Sequence, residues 1–399
     1  MASIIVTLDS TPVEIPADIP ADLPADIPAD EDSSDEETED VKCIVIDNGS
    51  DTLKVGFAGE DSPKLVIPSV VWLTPDGTYH FGNNDSSSLK RKYPIEHGFV
   101  FNWEAMEALW AHVIEELGIN PKEYLCLISE PPMNPKYNRE KTVQILFERF
   151  KFKGVYLSNA AVLSLYASGR TSGLVVMVGD RVTNIVPVEE GFPHPEAIQR
   201  LDIGGKDLTC YLARILMEKG YSFITSAELK IVRDIKEKLC YCTPVRTFER
   251  NNEEVPEKYY EVGCDGRVLT LDKECYLAVD VLFNPARLGM SAPGLALVVH
   301  SAITRCDVNV RPLLWKNIVL SGGSTLFEGL AERLRLELVD MLPAAVTDQI
   351  KVIAPPERLY STWIGGSILS RLSSFKDQWI KSEQYEEEGP AVVHKSCWM

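Results

Sequence analysis

No apolar run in this 399-residue sequence approaches the roughly 20 residues that a membrane-spanning helix needs. Near Met1 there is no basic stretch followed by an apolar one, so no secretory leader is expected. No CxxC pair has a matching partner, and Cys240 and Cys242 stand only two apart. The nine cysteines, an odd number spread widely, are therefore expected as buried thiols in a reducing compartment, not as a zinc site or a disulfide framework. Positive charge is short as well: 40 Lys and Arg against 59 Asp and Glu leave a net charge of −19, which argues against a grip on nucleic acid. What remains, 45% hydrophobic and 25% charged residues, suits a globular chain with room for two domains.

Basic residues are wholly absent from residues 1–40, which hold 13 acidic ones. Within that stretch IPAD, IPAD, LPAD and IPAD follow one another at 15–30. A proline at every fourth position forbids a helix and favours extended, polyproline-like chain. The EDSSDEETED run at 31–40 carries too much like charge to collapse. The segment reads as a disordered, self-repelling arm, either a solubilising tail or a docking strip for a basic partner. Phosphorylation of Ser33 or Ser34 would add to its charge.

From Val41 onward the pattern is globular. Apolar runs place strands at 43–47, 53–58, 65–72, 126–130, 174–178, 182–188, 317–321 and 351–354. Helical periodicity places helices at 103–116, 137–150, 159–168, 205–218, 226–242, 295–305, 325–342 and 364–380. In the 325–342 segment Leu326, Leu330, Leu334 and Leu338 share a face, with Thr325 as the cap. Strands alternating with helices argue for an α/β fold with mainly parallel or mixed sheet. Three of the strands run into turns of Gly and small residues: CIVIDNGSDTLKVGFAG at 43–59, LVVMVGDRVTNIVP at 174–187 and NIVLSGGSTL at 317–326. One such turn is usually only a loop. Three on apolar strands point to backbone N–H groups gathered around an anion, in two related halves facing each other across a cleft. Yet Met177 and Val178 stand in the second hairpin where metal chemistry would want an oxygen ligand.

YPIEHG at 93–98, NPKYNREK at 134–141, AVLSLYASGR at 161–170, IVRDIKEKLCY at 231–241, SGGST at 321–325, APPERLYSTWIGGSIL at 354–369 and the ending GPAVVHKSCWM resemble actin, without a break from about Val41 to Met399. The resemblance implies the two-domain α/β fold of actin, hexokinase-type sugar kinases and the large heat-shock chaperones. It further implies a five-stranded sheet in each domain, with ATP or ADP and magnesium in the cleft between. Carried onto this chain, the family's boundaries give a first core lobe of 41–67, 93–167 and 359–399 and a shortened outer lobe at 68–92. The second core lobe becomes 168–203 with 291–358, and its outer lobe 204–290. By the same resemblance Asp47 would hold the magnesium through its water shell. The phosphates would lie against Gly49, Ser50, Lys54 and Gly179, and the ribose against Asp180. Arg233, Lys236 and Glu237 would clamp the adenosine, Gly322 and Gly323 would bring backbone close to it, and Phe327 takes the place of a Tyr beside the base.

The departures from the family concentrate in the chemistry. The water-positioning Gln is Ala160, the His that helps order that water is Asn184, and the second metal-side Asp is Met177. No Gln, His or carboxylate stands within two places of position 160. Phosphoryl transfer to water needs an oriented nucleophile and a charge-neutralising metal, so no catalytic residue is assigned and hydrolysis is expected to be largely lost. Leu359 replaces a Lys beside the adenine pocket, so nucleotide is expected to bind weakly or not at all. Asp51 and Arg181 replace Gly at the two hairpin tips. They would pair across the cleft, or Arg181 would serve as a counter-ion for phosphate, or the two changes are independent.

The outer lobe is shorter than the actin pattern, with TPDGTYHFG at 74–82 reading as a plain hairpin around Asp76-Gly77, and the plug-like loop at 283–294 gains Arg287. Both weaken the case for an ordinary filament. Tyr166, Leu369 and Leu372 resemble the lining of the groove where actin-binding proteins dock helices. The expectation is an actin-like structural or interaction subunit of a cytoskeletal or multiprotein assembly, cytoplasmic with the nucleus left open. Its partners would be actin, actin-related proteins or actin-binding proteins. The alternative is a polymerising actin with working ATPase activity.

Overall fold

The structure, a computed structural model, describes residues 42–82, 89–244, 255–263 and 266–397, and the acidic arm lies outside them. Two six-stranded mixed sheets organise the described residues. In the first, Cys43–Asn48 pairs antiparallel with Thr52–Phe57, which pairs on with Leu65–Pro68. On its other side Cys43–Asn48 runs parallel to Leu125–Glu130, and that strand parallel to Gly154–Asn159, with Ile380–Lys381 at the edge. The inner strands are almost wholly buried, which is why they read as continuous apolar runs and not as alternating ones. The second sheet repeats the plan. Gly173–Val178 pairs antiparallel with Thr183–Glu189 and parallel with Ile318–Ser321, which continues to Val352–Ile353. The resemblance implied five strands in each sheet. The sixth is a short edge piece in both cases: Ile380–Lys381 in the first, and in the second Gln199–Leu201, which shares Thr183–Glu189 with Phe192–Pro193.

The helices Ala160–Ala167 and Ser361–Leu369 pack on each other, the first also against Gly173–Val178 and the second against Cys43–Asn48. A chain of buried hydroxyls stitches this join: Ser164 to Thr362 at 2.9 Å, Ser164 to Ser321 at 3.0 Å, and Ser321 to Ser361 at 2.7 Å. A hydroxyl can both donate and accept, so such a chain is satisfied without burying a charge. Separate apolar cores flank the join. One gathers Trp110 and Trp363 with the first sheet, and the other gathers Trp315 and Phe327 with the second.

Several expected elements change length for local reasons. The strand expected over 65–72 breaks into Leu65–Pro68 and Val71–Leu73. Between them Ser69 turns inward, its N–H donating to Asp51 O at 2.7 Å and its hydroxyl to Gly49 O at 2.6 Å. The helix expected from 325 starts only at Leu330. Gly329 has φ +80° there, and a Cβ would run into the Cys242 carbonyl. Thr325 is thus no cap; its hydroxyl donates to Gly322 O at 2.6 Å. Leu330, Leu334 and Leu338 are buried as expected, but Leu326, ahead of the helix, is exposed. The helices expected to reach 242 and 380 stop at Leu239 and Leu369. The hairpin of Lys258–Val262 and Arg267–Leu271 and the helix Glu274–Asp280 were not foreseen, being too short to show a clear period.

Candidate functional site

The first hairpin carries its charged residues on one register pair. Asp47 faces Lys54 across the two strands, and Lys54 Nζ lies 3.1 Å from Asp47 Oδ2. The other carboxylate oxygen accepts from the Ser129 hydroxyl at 2.9 Å, and Ser129 Oγ in turn accepts from the Asn48 N–H at 2.9 Å. Sequence reasoning missed Ser129; its signal was a lone hydroxyl inside the apolar run LCLISE. Gly49 and Ser50 form the tip, half-buried, with Asp51 beside them.

The second hairpin is built the same way. Met177 is the direct cross-strand partner of Asn184, so two of the three departures from family chemistry face each other. Met177 packs against the apolar cluster of Ala161, Val162, Leu165 and Val175, an environment that would penalise a carboxylate. Ala160 is buried at the start of its helix, where Asn159 provides the cap. At the tip, Gly179 O and Asp180 O accept from the N–H groups of Gly205 and Lys206 at 2.9 and 2.8 Å. The tip carbonyls thereby satisfy the first turn of the Gly205–Glu218 helix. Ser324 Oγ donates to Gly179 O at 2.9 Å, and Lys236 Nζ to Gly205 O at 2.9 Å. Burial, with the negative charge of Asp51 next in weight, pushes the Asp180 carboxyl above its usual range. Burial likewise lowers the Lys236 ammonium.

Gly322 has φ +90°, and a Cβ there would sit 2.5 Å from Val178 O. The close backbone approach expected at this glycine is therefore made to the second hairpin itself. Gly323 lies against Leu359, where a Cβ would come within 3.1 Å of Leu359 Cδ1. Phe327 is buried in the second core.

The two halves meet at Asp51, though not through the expected partner. Arg233 Nη1 donates to Asp51 Oδ1 at 2.7 Å and Nη2 to Oδ2 at 2.6 Å, a bidentate fork, while Arg233 Nε donates to Glu237 at 2.8 Å. The expected pair of Asp51 with Arg181 does not form. Arg181 instead lies 4.6 Å over the Tyr93 ring, with its Nε 3.7 Å from Asp180 Oδ2 and without a hydrogen-bond partner. The reason is reach: Arg233, on the Ser226–Leu239 helix, presents its fork to Asp51, and the Tyr93 face offers Arg181 a cation–π seat. Burial works to raise the Asp51 carboxyl, but Arg233 and then Lys54 overcome it and hold the group below the usual carboxylate range.

These residues fit magnesium poorly. Both Asp47 oxygens are engaged, Met177 offers no oxygen, and among the described residues no group of three or more His, Cys, Asp or Glu could hold a metal ion. Adenosine-side residues are present, but Arg233 is committed to Asp51 and Lys236 to Gly205 O.

Of the expected groove residues, Tyr166 is half-buried and Leu372 exposed, but Leu369 belongs to the first core. The Ser361–Leu369 helix is covered nearly all round, which leaves Ile368 as the residue that faces out beside Leu372. In the plug-like loop, Arg287 points back: its Nε lies 2.6 Å from Asp280 Oδ2, and its carbonyl accepts from Arg214 at 2.8 Å. Asp280 also meets the buried Arg333 at 3.4 Å. No helix among the described residues is long and apolar enough to cross a membrane. The family model described as Actin matches residues 38–398, a span that holds both sheets, both hairpins and every site residue named above.

Proposed function

Because the chain belongs to the actin family, we propose that it works as a structural or interaction subunit of a cytoskeletal or multiprotein assembly, with a nucleotide cleft degenerate for hydrolysis. The observation that carries this reading is the Met177–Asn184 register pair, an apolar side chain and an amide where water activation and metal binding would need a carboxylate and an imidazole. Lys54 and Asp47 neutralise each other and Asp51 neutralises Arg233, so the cleft is charge-paired without a ligand. Nucleotide, where it binds, would lie along Ser50, Lys54 and Asp180 toward Lys236, Glu237 and Phe327, and would supply cohesion between the halves. The partners are actin, actin-related proteins or actin-binding proteins, with an apolar contact at Ile368 and Leu372 beside Tyr166. The tied-back Arg287 loop speaks against a long homopolymer.

Two measurements on the purified full chain test this: phosphate release with magnesium ATP, and electron microscopy at high protein concentration. Absent turnover and absent long filaments are expected. Turnover comparable to actin with magnesium dependence, or long filaments, would establish the polymerising ATPase instead.

A further inference from the structure

Asp51 and Arg233 lie 182 residues apart in sequence, one at the tip of the first hairpin and the other on the Ser226–Leu239 helix. Their contact is a planar, bidentate fork, the geometry by which a guanidinium takes a phosphate or a carboxylate. The hairpin tip belongs to the phosphate end of the proposed site and Arg233 to its adenosine end. We infer that Asp51 is an internal anion that competes with nucleotide for Arg233, so that the cleft prefers ligands of low negative charge, adenosine over ADP over ATP.

The inference rests on the site reading given under Proposed function. Two features support it beyond the fork. Glu237 fixes the Arg233 side chain from the same helix through Nε, so the guanidinium is pre-oriented for Asp51. Asp51 is itself anchored: its backbone carbonyl accepts from the Ser69 N–H at 2.7 Å. A ligand that engages Arg233 must first release it from Asp51. That released carboxylate then stands beside the phosphate end, within Coulombic reach of Asp180. The repulsion grows with each phosphate, so the discrimination acts on charge and not on the base.

The test uses the full chain and its D51G and D51N variants, with adenosine, ADP and ATP titrated at low and high salt. Removing the carboxylate should tighten ATP by about three- to tenfold, ADP by less and adenosine least, and the graded gain should shrink at high salt. In parallel, D51N, R233A and their double variant are unfolded thermally without ligand. The two single losses should overlap in the double variant, because both break one contact. The inference fails if both Asp51 variants bind all three ligands with one common change, or if the losses add. If neither the parent nor the variants bind any of the three, the site reading itself fails, and with it the ligand preference.

Discussion

Arg233 reaches Asp51 through two hydrogen bonds of 2.7 and 2.6 Å, and this fork spans the two halves of the molecule where nothing in the local sequence joins them. With the Asp51 side chain 30% exposed and that of Arg233 44% exposed, the bond is screened, and such pairs contribute only about 0–1 kcal/mol. Its importance lies in position: it links the tip of the first hairpin to the Ser226–Leu239 helix.

That fork should fade in acid. The folded Asp51 carboxyl sits below its ordinary value, so its contribution is complete above about pH 4 and disappears as pH falls through the lowered folded value. The groups facing it are Arg233, Lys54, Lys236 and Asp180. Unfolding midpoints of the parent and Asp51→Asn should therefore differ near neutrality and converge at the acid end. A constant gap across pH would show that the lost carboxylate charge is not the cause.

Asp180 should behave in the opposite sense. Its carboxyl is raised, so the folded protein holds that proton more tightly than the unfolded chain, and stability falls as pH rises through the ordinary value. Asp180→Asn is expected to raise the urea midpoint of the ligand-free protein at pH 7 and to leave it unchanged below about pH 4. A lower midpoint at pH 7 would mean that the 3.7 Å contact with Arg181 outweighs burial.

Restoring one catalytic residue should not restore turnover. Ala160→Gln returns a water-orienting amide but leaves Met177 without an oxygen, so phosphate release should stay at background. Adding Met177→Asp supplies the acid at a structural cost of about 1–3 kcal/mol, because that side chain packs among buried apolar groups. Turnover from the single Gln variant would overturn the two-loss account.

Gly322→Ala should destabilise by at least about 1–3 kcal/mol, from the positive φ and the closeness of Val178 O, read by chemical denaturation. A neutral result would show that the second hairpin yields easily at that point.

Asp280 should matter more than either of its arginines' exposure suggests. Asp280→Ala frees Arg287 and removes the 3.4 Å contact of Arg333, only 5% exposed, which keeps Glu337 at 2.6 Å, and is expected to cost about 1–3 kcal/mol, whereas Arg287→Ala should cost about 1 kcal/mol or less and chiefly make the 283–294 loop easier to cleave. Limited proteolysis beside denaturation separates the two effects.

Much of the architecture was legible in the chain. Buried parallel strands make unbroken apolar runs, so Cys43–Asn48, Leu125–Glu130 and Gly173–Val178 stood out, and the hairpin turns followed from their Gly and small residues. Long near-literal segments such as YPIEHG and the SGGST turn then pointed to the family, whose model matches residues 38–398. What the sequence could not determine was which charges meet. Hairpin geometry pairs Asp47 with Lys54 through a local register, but Asp51 had Arg181 and Arg233 both within its assigned site. Only the packing of the Ser226–Leu239 helix and the Tyr93 ring decided between them. Opposite charge is a property of residue type, whereas a bidentate hydrogen bond depends on direction and reach, and those are set by elements distant in sequence. The same holds for Leu369, whose place in the core depends on helix packing around it and not on its hydrophobicity.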